Sequence, residues 1–218
     1  MLSFIVEGTG ACFTRPELKV ERVSYDVMTP SAARGIAEAI YWKPCLQYRI
    51  QSIDVLKPIQ HMQLRRNEVK SRAQMPSQKI VNKGGKHAPY GIACAKDRTQ
   101  RAAIILRDVE YRVNLEFDLV KYGNNPGKHH AIFSRRVTKG QVFRRPYLGC
   151  REFSAEIYPD DPRREAISSS RPLGRMLFDL QFDEQKGNTY DVTPVFFQAE
   201  LDNGTLNVPQ TPYDTVYQ

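Results

Sequence analysis

The 218-residue chain has little of what marks a membrane, secreted or zinc-bearing protein. No run approaches the roughly 18 consecutive apolar residues that a membrane helix needs. The opening MLSFIVEGTG has no basic leader ahead of an apolar stretch. A soluble, unexported, cytoplasmic protein with no membrane partner is therefore expected. The four cysteines, Cys12, Cys45, Cys94 and Cys150, lie far apart, with no C-x-x-C pair and no His pair at zinc-finger spacing. They signal neither a metal knuckle nor a disulfide framework and read as reduced thiols. Adjacent His129 and His130 would diverge by about 100° on a helix, which does not suit one shared metal ion. No metal or cofactor is expected. With 41% hydrophobic and 26% charged residues, the composition excludes disorder and suits one globular core or one core with a small appendage.

What the chain does have is positive charge, unevenly spread. Lys and Arg number 32 against 24 Asp and Glu, a formal net of +8. Residues 60–101 carry ten basic side chains, among them Arg65, Arg66, Lys83 and Lys86, against only Glu68 and Asp97. Residues 119–151 carry eight, including Arg135, Arg136, Lys139, Arg144 and Arg145, and no acid. Each segment nets +8, so the remainder of the chain nets −8. A merely solvated surface would mix the signs; two basic segments on an acidic body suit a polyanion held on one side.

The order of elements comes from periodicity and punctuation. SFIVEG reads as a strand. Thr29 is placed to cap a helix with Pro30 at its first position, and Ala33, Ile36, Ala37, Ile40 and Tyr41 share one stripe before Lys43-Pro44 stops it. Leu46 to Val55 is rich in β-branched and aromatic residues and reads as strand. The basic segment that follows, with Met75-Pro76, Gly84-Gly85 and Ala88-Pro89, is too long to be an idle turn. Val109 to Leu119 alternates apolar and polar residues, a strand with one wet face. Asn124 to Gly127 turns into a helix carrying Lys128, His129, Ile132, Phe133, Arg136 and Val137, which Gly140 can close. A strand through Phe153, Ala155 and Ile157 completes the order β-α-β-β-α-β, the α+β ferredoxin-like (RRM-like) motif, over residues 1–159. Residues 160–218 form a small β-rich C-terminal subdomain in this reading. Its strands run Met176 to Phe182, Val195 to Leu201 and Thr205 to Val208, the last two joined by the turn signal Asp202-Asn203-Gly204.

That topology brings the C-terminal end of the first helix, with Tyr41, to the N-terminal end of the second, with Lys128 and His129. A phenol, an ammonium and an imidazole suit metal-free RNA cleavage, in which a 2′-hydroxyl attacks its own phosphate. An imidazole exchanges protons near neutrality, an ammonium neutralises charge on the non-bridging oxygens, and helix N-terminal amides add to the field. A phenol, with a reference pKa of about 10, is a poor base unless Lys128 lowers it, although it can orient a hydroxyl. The same topology sends the connection after the second strand, and the basic loop from Lys139 to Arg145, to the opposite end. RNA gripped there and cut here would have to cross the domain.

GIAEAIYWKP at 35–44, LKPIQ at 56–60, RDVEYRVNLEF at 107–117, GKHHAIFSRR at 127–136 and RPYLGCREF at 145–153 together resemble the subtype I-C, or "d", form of the CRISPR-associated five family. FFQAELDNGTL in the tail is similar more weakly. The resemblance implies a metal-independent endoribonuclease that binds the CRISPR repeat stem-loop and cuts precursor CRISPR RNA at the 3′ base of the stem. It leaves 2′,3′-cyclic phosphate and 5′-hydroxyl ends and stays in the type I-C antiviral surveillance complex with the other subunits. The family's Tyr, Lys, His trio falls on Tyr41, Lys128 and His129. Two competing accounts are a non-cutting scaffold that caps the 5′ handle of the CRISPR RNA, and a protein whose main partner is double-stranded DNA.

Overall fold

The computed structural model describes residues 1–72, 75–82, 91–120, 125–185 and 189–217. Lys83, Lys86, Gly84-Gly85, Ala88-Pro89 and Asn124 lie outside the described residues. In chain order the elements are β1 (Leu2–Ala11), α1 (Pro30–Ile40), β2 (Leu46–Val55), β3 (His61–Val69), α2 (Gln78–Asn82), β4 (Arg98–Leu119) and α3 (Pro126–Thr138). There follow β5 (Glu156–Pro159), β6 (Arg171–Gln185), β7 (Thr189–Asp202), β8 (Thr205–Asn207) and α4 (Tyr213–Val216). The fold is mixed α and β. Among the described residues, eight strands join one sheet in the order β5-β1-β4-β2-β8-β7-β6, with β3 on β4, and the strands pair with one another antiparallel.

Both helices that matter to the site start as their sequences dictate. At α1 the Thr29 hydroxyl accepts from the Ala32 N–H at 3.3 Å, and Pro30 opens the first turn. Ala33, Ile36, Ala37 and Ile40 are buried. At α3 the Asn125 side chain accepts from the Lys128 N–H at 3.0 Å, and Phe133 and Val137 supply the buried stripe. Gly140, at φ +61°, ends the turn after α3 in the left-handed region. The helices lie on one face of the sheet, α1 against β2 and β6, α3 against β1 and β5.

Three features differ from the sequence reading. β4 extends back from the alternating stretch to Arg98, because its first part pairs with β3 in register from His61 opposite Leu106 to Val69 opposite Arg98. β3 has no fully buried residue, and its half-buried positions are Leu64, Arg66 and Glu68, so charge on the covered face masks the alternation. The strand through Phe153 begins only at Glu156. Its first half is drawn into a tight turn, where the Leu148 N–H donates to the Phe153 carbonyl at 2.7 Å. Gly149, at φ +82°, sits so near the Cys12 carbonyl that a Cβ there would stand 2.1 Å away. In the C-terminal portion, β6 and β7 form a ribbon longer than its apolar segments. At the β7–β8 turn Asn203 and Gly204 have φ +45° and +78°, as a two-residue hairpin demands.

Residues 160–217 continue the sheet through β8, which pairs with β2. Met176, Phe178, Ala199, Leu201, Leu206 and Tyr213 share one hydrophobic cluster with Phe4, Ile36 and Ile40. Arg34 on α1 grips Asp179 on β6 with two bonds, Nε to Oδ2 at 2.6 Å and Nη2 to Oδ1 at 2.8 Å, and Asp179 is buried. Among the described residues no helix is long and apolar enough to cross a membrane.

Candidate active site

α1 stops at Ile40 because Tyr41 leaves the helical conformation, at φ −151° and ψ 119°, while its N–H still bonds the Ala37 carbonyl. This extended step swings the phenol toward α3. The Tyr41 Oη lies 2.9 Å from Nδ1 of His129, a residue in the first turn of α3. Tyr41 is 4% exposed, and His129 is half-buried between the Tyr41 and Phe117 rings, with centroids 5.9 and 6.4 Å away.

Arg136 and Tyr48 brace Tyr41 directly, and Tyr217 braces Tyr48. Tyr48 on β2 donates from its hydroxyl to the Tyr41 carbonyl at 2.5 Å. Arg136, two turns along α3 from His129, places its guanidinium 5.1 Å from the Tyr41 ring centroid and donates to the Ile40 carbonyl at 2.6 Å. Tyr217, beyond α4, donates to the Tyr48 carbonyl at 2.5 Å, so the C-terminal segment braces the strand that braces the site. Burial raises the Tyr41 pKa above the usual phenol value, Cys45 adds to the rise, and Arg136 opposes it. The shift is opposite to the one that would make Tyr41 a base, and Lys128 is not among its causes. Tyr41 therefore stays a neutral phenol near neutral pH. Its contact at Nδ1 leaves Nε2 as the imidazole atom available to a substrate.

Lys128 is exposed and forms no ion pair with any described residue. His130 is also exposed, and it lines a cavity of about 340 Å³ with Met1, Leu2, Glu116 and Phe117. Of the two adjacent histidines, only His129 meets Tyr41. Among the described residues no three His, Cys, Asp or Glu side chains converge to hold a metal ion.

The basic residues separate into two groups. The loop after α3 does not lie at the far end, as the topological reading expected. The N–H groups of Phe143 and Arg144 donate to the Ala39 carbonyl at 2.8 and 3.3 Å, which brings that loop to within two residues of Tyr41. Helix α3 leans over α1, and Arg136 pins the crossing. Arg135, Lys139, Arg144 and Arg145 are exposed on this side. The β3–β4 ribbon is the distant group. It leaves the sheet at Leu106, eleven residues from Phe117 along β4, or about 35 Å at roughly 3.3 Å per residue. There Arg65 is exposed, while Arg66 is engaged by Glu68 at 2.8 Å and by Glu152.

The sequence reading passed over Trp42, Arg136 as a brace, and Tyr48. Trp42, the one tryptophan in the chain, is 50% exposed beside Tyr41. An aromatic residue directly after a helix stop, outside the apolar stripe, was the available signal for it. Tyr48 and Arg136 act through contacts between elements, which no local pattern carries.

Comparison with known proteins places the chain in a family. The family model described as CRISPR-associated protein (Cas_Cas5), the Cas5d form, matches residues 1–209. The chain is 43% identical over 212 residues to the CRISPR pre-crRNA endoribonuclease Cas5d of Mannheimia succiniciproducens, covering 93% of this chain and 92% of that one. It is 40% identical over 227 residues to the protein of the same name from Thermus thermophilus, covering 98% and 93%. A crystal structure of a CRISPR-associated protein aligns with a TM-score of 0.65 at 21% identity, over 96% of this chain and 92% of that one. A Streptococcus mutans protein, SMU1763c, described as functionally uncharacterized, aligns with a TM-score of 0.64 at 22% identity, over 96% and 93%. These two likenesses concern the fold alone. Matched by the family model over residues 1–209 and 40% and 43% identical to two named relatives, the chain belongs to the Cas5d family of CRISPR-associated proteins.

Proposed function

We propose that this protein is a metal-independent endoribonuclease that binds the stem-loop of a CRISPR repeat and cuts precursor CRISPR RNA at the 3′ base of the stem. The observation that carries the reading is the 2.9 Å contact between Tyr41 Oη and His129 Nδ1 at the meeting of two helix ends. Both relatives are named pre-crRNA endoribonucleases. In this mechanism Nε2 of His129 takes the 2′-hydroxyl proton, the 2′ oxygen attacks phosphorus, and the P–O5′ bond breaks as the leaving O5′ takes a proton from water. The products are a 2′,3′-cyclic phosphate and a 5′-hydroxyl. Lys128 and the first-turn amides of α3 stabilise charge on the non-bridging oxygens. Tyr41 positions the imidazole, its raised pKa keeping it out of the base's role.

Arg135, Arg136, Lys139, Arg144 and Arg145 hold the backbone near the cut in this account, Arg65 and Arg66 engage more distant RNA, and Lys83 and Lys86 are further RNA contacts. The strand order β5-β1-β4-β2 with α1 and α3 reads as the ferredoxin-like unit, residues 1–159, with 160–218 as its β-rich partner. The protein then stays with the cut RNA as a subunit of a type I-C surveillance complex. A denaturing gel of repeat RNA in EDTA tests the core of this reading. The wild-type protein should give one cut with a cyclic-phosphate end, and His129→Ala should bind without cutting. Intact RNA with the wild-type protein, or cleavage only on adding a divalent cation, would overturn it.

A further inference from the structure

Away from the helix ends, two cysteines remote in sequence meet where β1 ends. The Cys12 N–H donates to the Leu148 carbonyl at 3.0 Å, and the close approach of Gly149 to the Cys12 carbonyl sets Cys150 directly beside it. Both sulfurs lie against one hydroxyl, with Thr14 Oγ1 at 3.5 Å from Cys12 Sγ and 3.9 Å from Cys150 Sγ. The Arg22 guanidinium donates to Cys150 Sγ at 3.3 Å. Arg22 is itself tethered, with Glu152 3.7 Å away. Cys12 is buried, whereas Cys150 is half-buried. Cys12 also lines a cavity of about 370 Å³ shared with Thr14, Arg144, Tyr147 and Gly149, while a small reagent meets Cys150 at its own half-buried surface.

The two thiols are not equivalent. Hydrogen bonding from Cys12 and the charge of Arg22 hold the Cys150 thiol down to about 6, against burial and the opposing carboxylate of Glu152. Cys12 is pushed the other way, first by its bond to Cys150 and then by burial. One sulfur is thus prepared as a nucleophile and its neighbour keeps its proton, the division of labour needed for attack and then resolution.

We propose that Cys150 is a hydroperoxide-reactive thiolate, held by Arg22, and that Cys12 resolves its oxidised form into a Cys12–Cys150 disulfide. In the first step the Cys150 thiolate attacks the distal peroxide oxygen; an S–O bond forms, the O–O bond breaks, and the departing hydroxide takes a proton to become water. In the second, the Cys12 sulfur attacks the sulfenic sulfur; the S–S bond forms, the S–O bond breaks, and hydroxide leaves with the Cys12 proton as water. Two thiols are oxidised by two electrons in all and one peroxide is reduced. The new bond would pin the turn that follows Arg144 and Arg145 to the end of β1. This inference stands independently of the nuclease reading.

The test uses the full-length wild-type protein and hydrogen peroxide. Non-reducing peptide mass spectrometry after one equivalent should find Cys12 linked to Cys150, with Cys45 and Cys94 still free. At pH 6.5, iodoacetamide should modify Cys150 about fivefold faster than exposed Cys94, the gain in thiolate outweighing the lower nucleophilicity of a low-pKa thiol. Cys12→Ala, which also removes a hydrogen bond favouring the Cys150 thiolate, should react more slowly and leave a sulfenic acid on Cys150 that dimedone traps. Arg22→Lys, which keeps the charge, should alkylate faster than Arg22→Leu, with circular dichroism confirming that both are folded. Equal alkylation of Cys150 and Cys94, or peroxide treatment that leaves Cys12 and Cys150 unlinked, would overturn the proposal.

Discussion

Tyr41→Phe removes one oxygen from the centre of the site and leaves the rest in place. The ring stays packed at 4% exposure with Arg136 over it, so the fold and the RNA-binding surface are retained. What disappears is the 2.9 Å hydrogen bond with Nδ1. A single hydrogen bond is worth about 0.5–1.5 kcal/mol net, or roughly two- to twelvefold in rate if only that energy is removed. Freed at Nδ1, the imidazole can also turn Nε2 away from the 2′-hydroxyl. A positioned proton acceptor contributes about 10²–10⁴-fold, so the expected fall in single-turnover cleavage is about 10- to 100-fold, with RNA affinity unchanged. Because Tyr41 acts through His129, the double variant Tyr41→Phe with His129→Ala should cleave no more slowly than His129→Ala alone. Single-turnover assays on labelled repeat RNA in EDTA, beside filter binding, read both quantities. Cleavage by Tyr41→Phe within twofold of wild type, or additive losses in the double variant, would refute the positioning role.

Other perturbations follow from the same geometry. Replacing Arg144 and Arg145 by Ala should weaken RNA binding and flatten the slope of log affinity against log salt by about one unit for each phosphate no longer neutralised; an unchanged slope would mean the loop does not touch the backbone. Arg34→Ala strands the buried Asp179 carboxylate and should cost about 3–5 kcal/mol of stability in urea unfolding, a cost that a second change, Asp179→Asn, should partly relieve. Burial raises the pKa values of Tyr48, Tyr111, Tyr213 and Tyr217 above that of a free phenol. The unfolded chain therefore loses these protons first, so the stability that depends on neutral phenols is intact below about pH 10 and falls above it. Chemical denaturation between pH 8 and 11 should show that decline, and a flat profile would contradict it.

Much of the site was legible because its parts announce themselves locally. Thr29-Pro30 and Asn125-Pro126 are helix starts with a physical cause, and each fixed the phase of a helix whose far or near end carries a candidate site residue. Alternation from Val109 to Leu119 revealed the strand between β1 and β2, and from the order of elements the meeting of Tyr41 with His129 followed. The β3–β4 ribbon stayed hidden because the covered face of β3 carries charged Arg66 and Glu68 beside Leu64 and so gives no hydrophobic periodicity, although Ala103 and Ile105 on β4 are buried. The return of the Phe143–Arg144 backbone to Ala39 was hidden for another reason. It depends on how α3 leans over α1, which the Arg136 bond to Ile40 fixes, and a topology diagram has no lean. The opposed behaviour of Cys12 and Cys150 was likewise out of reach, since the residues are 138 positions apart and their pairing is made by the turn at Gly149.

The register that joins Leu2 to Leu115 has a consequence for synthesis on the ribosome. β1 emerges first, carrying Phe4, Ile5 and Val6, all fully buried in the finished protein, yet its long-range neighbour is made more than a hundred residues later. At about 5–20 residues per second, the nascent chain must keep this greasy segment from wrong partners for roughly five to twenty seconds. Low translation speed or high expression temperature should therefore harm the yield of folded chains more than the stability of those already formed.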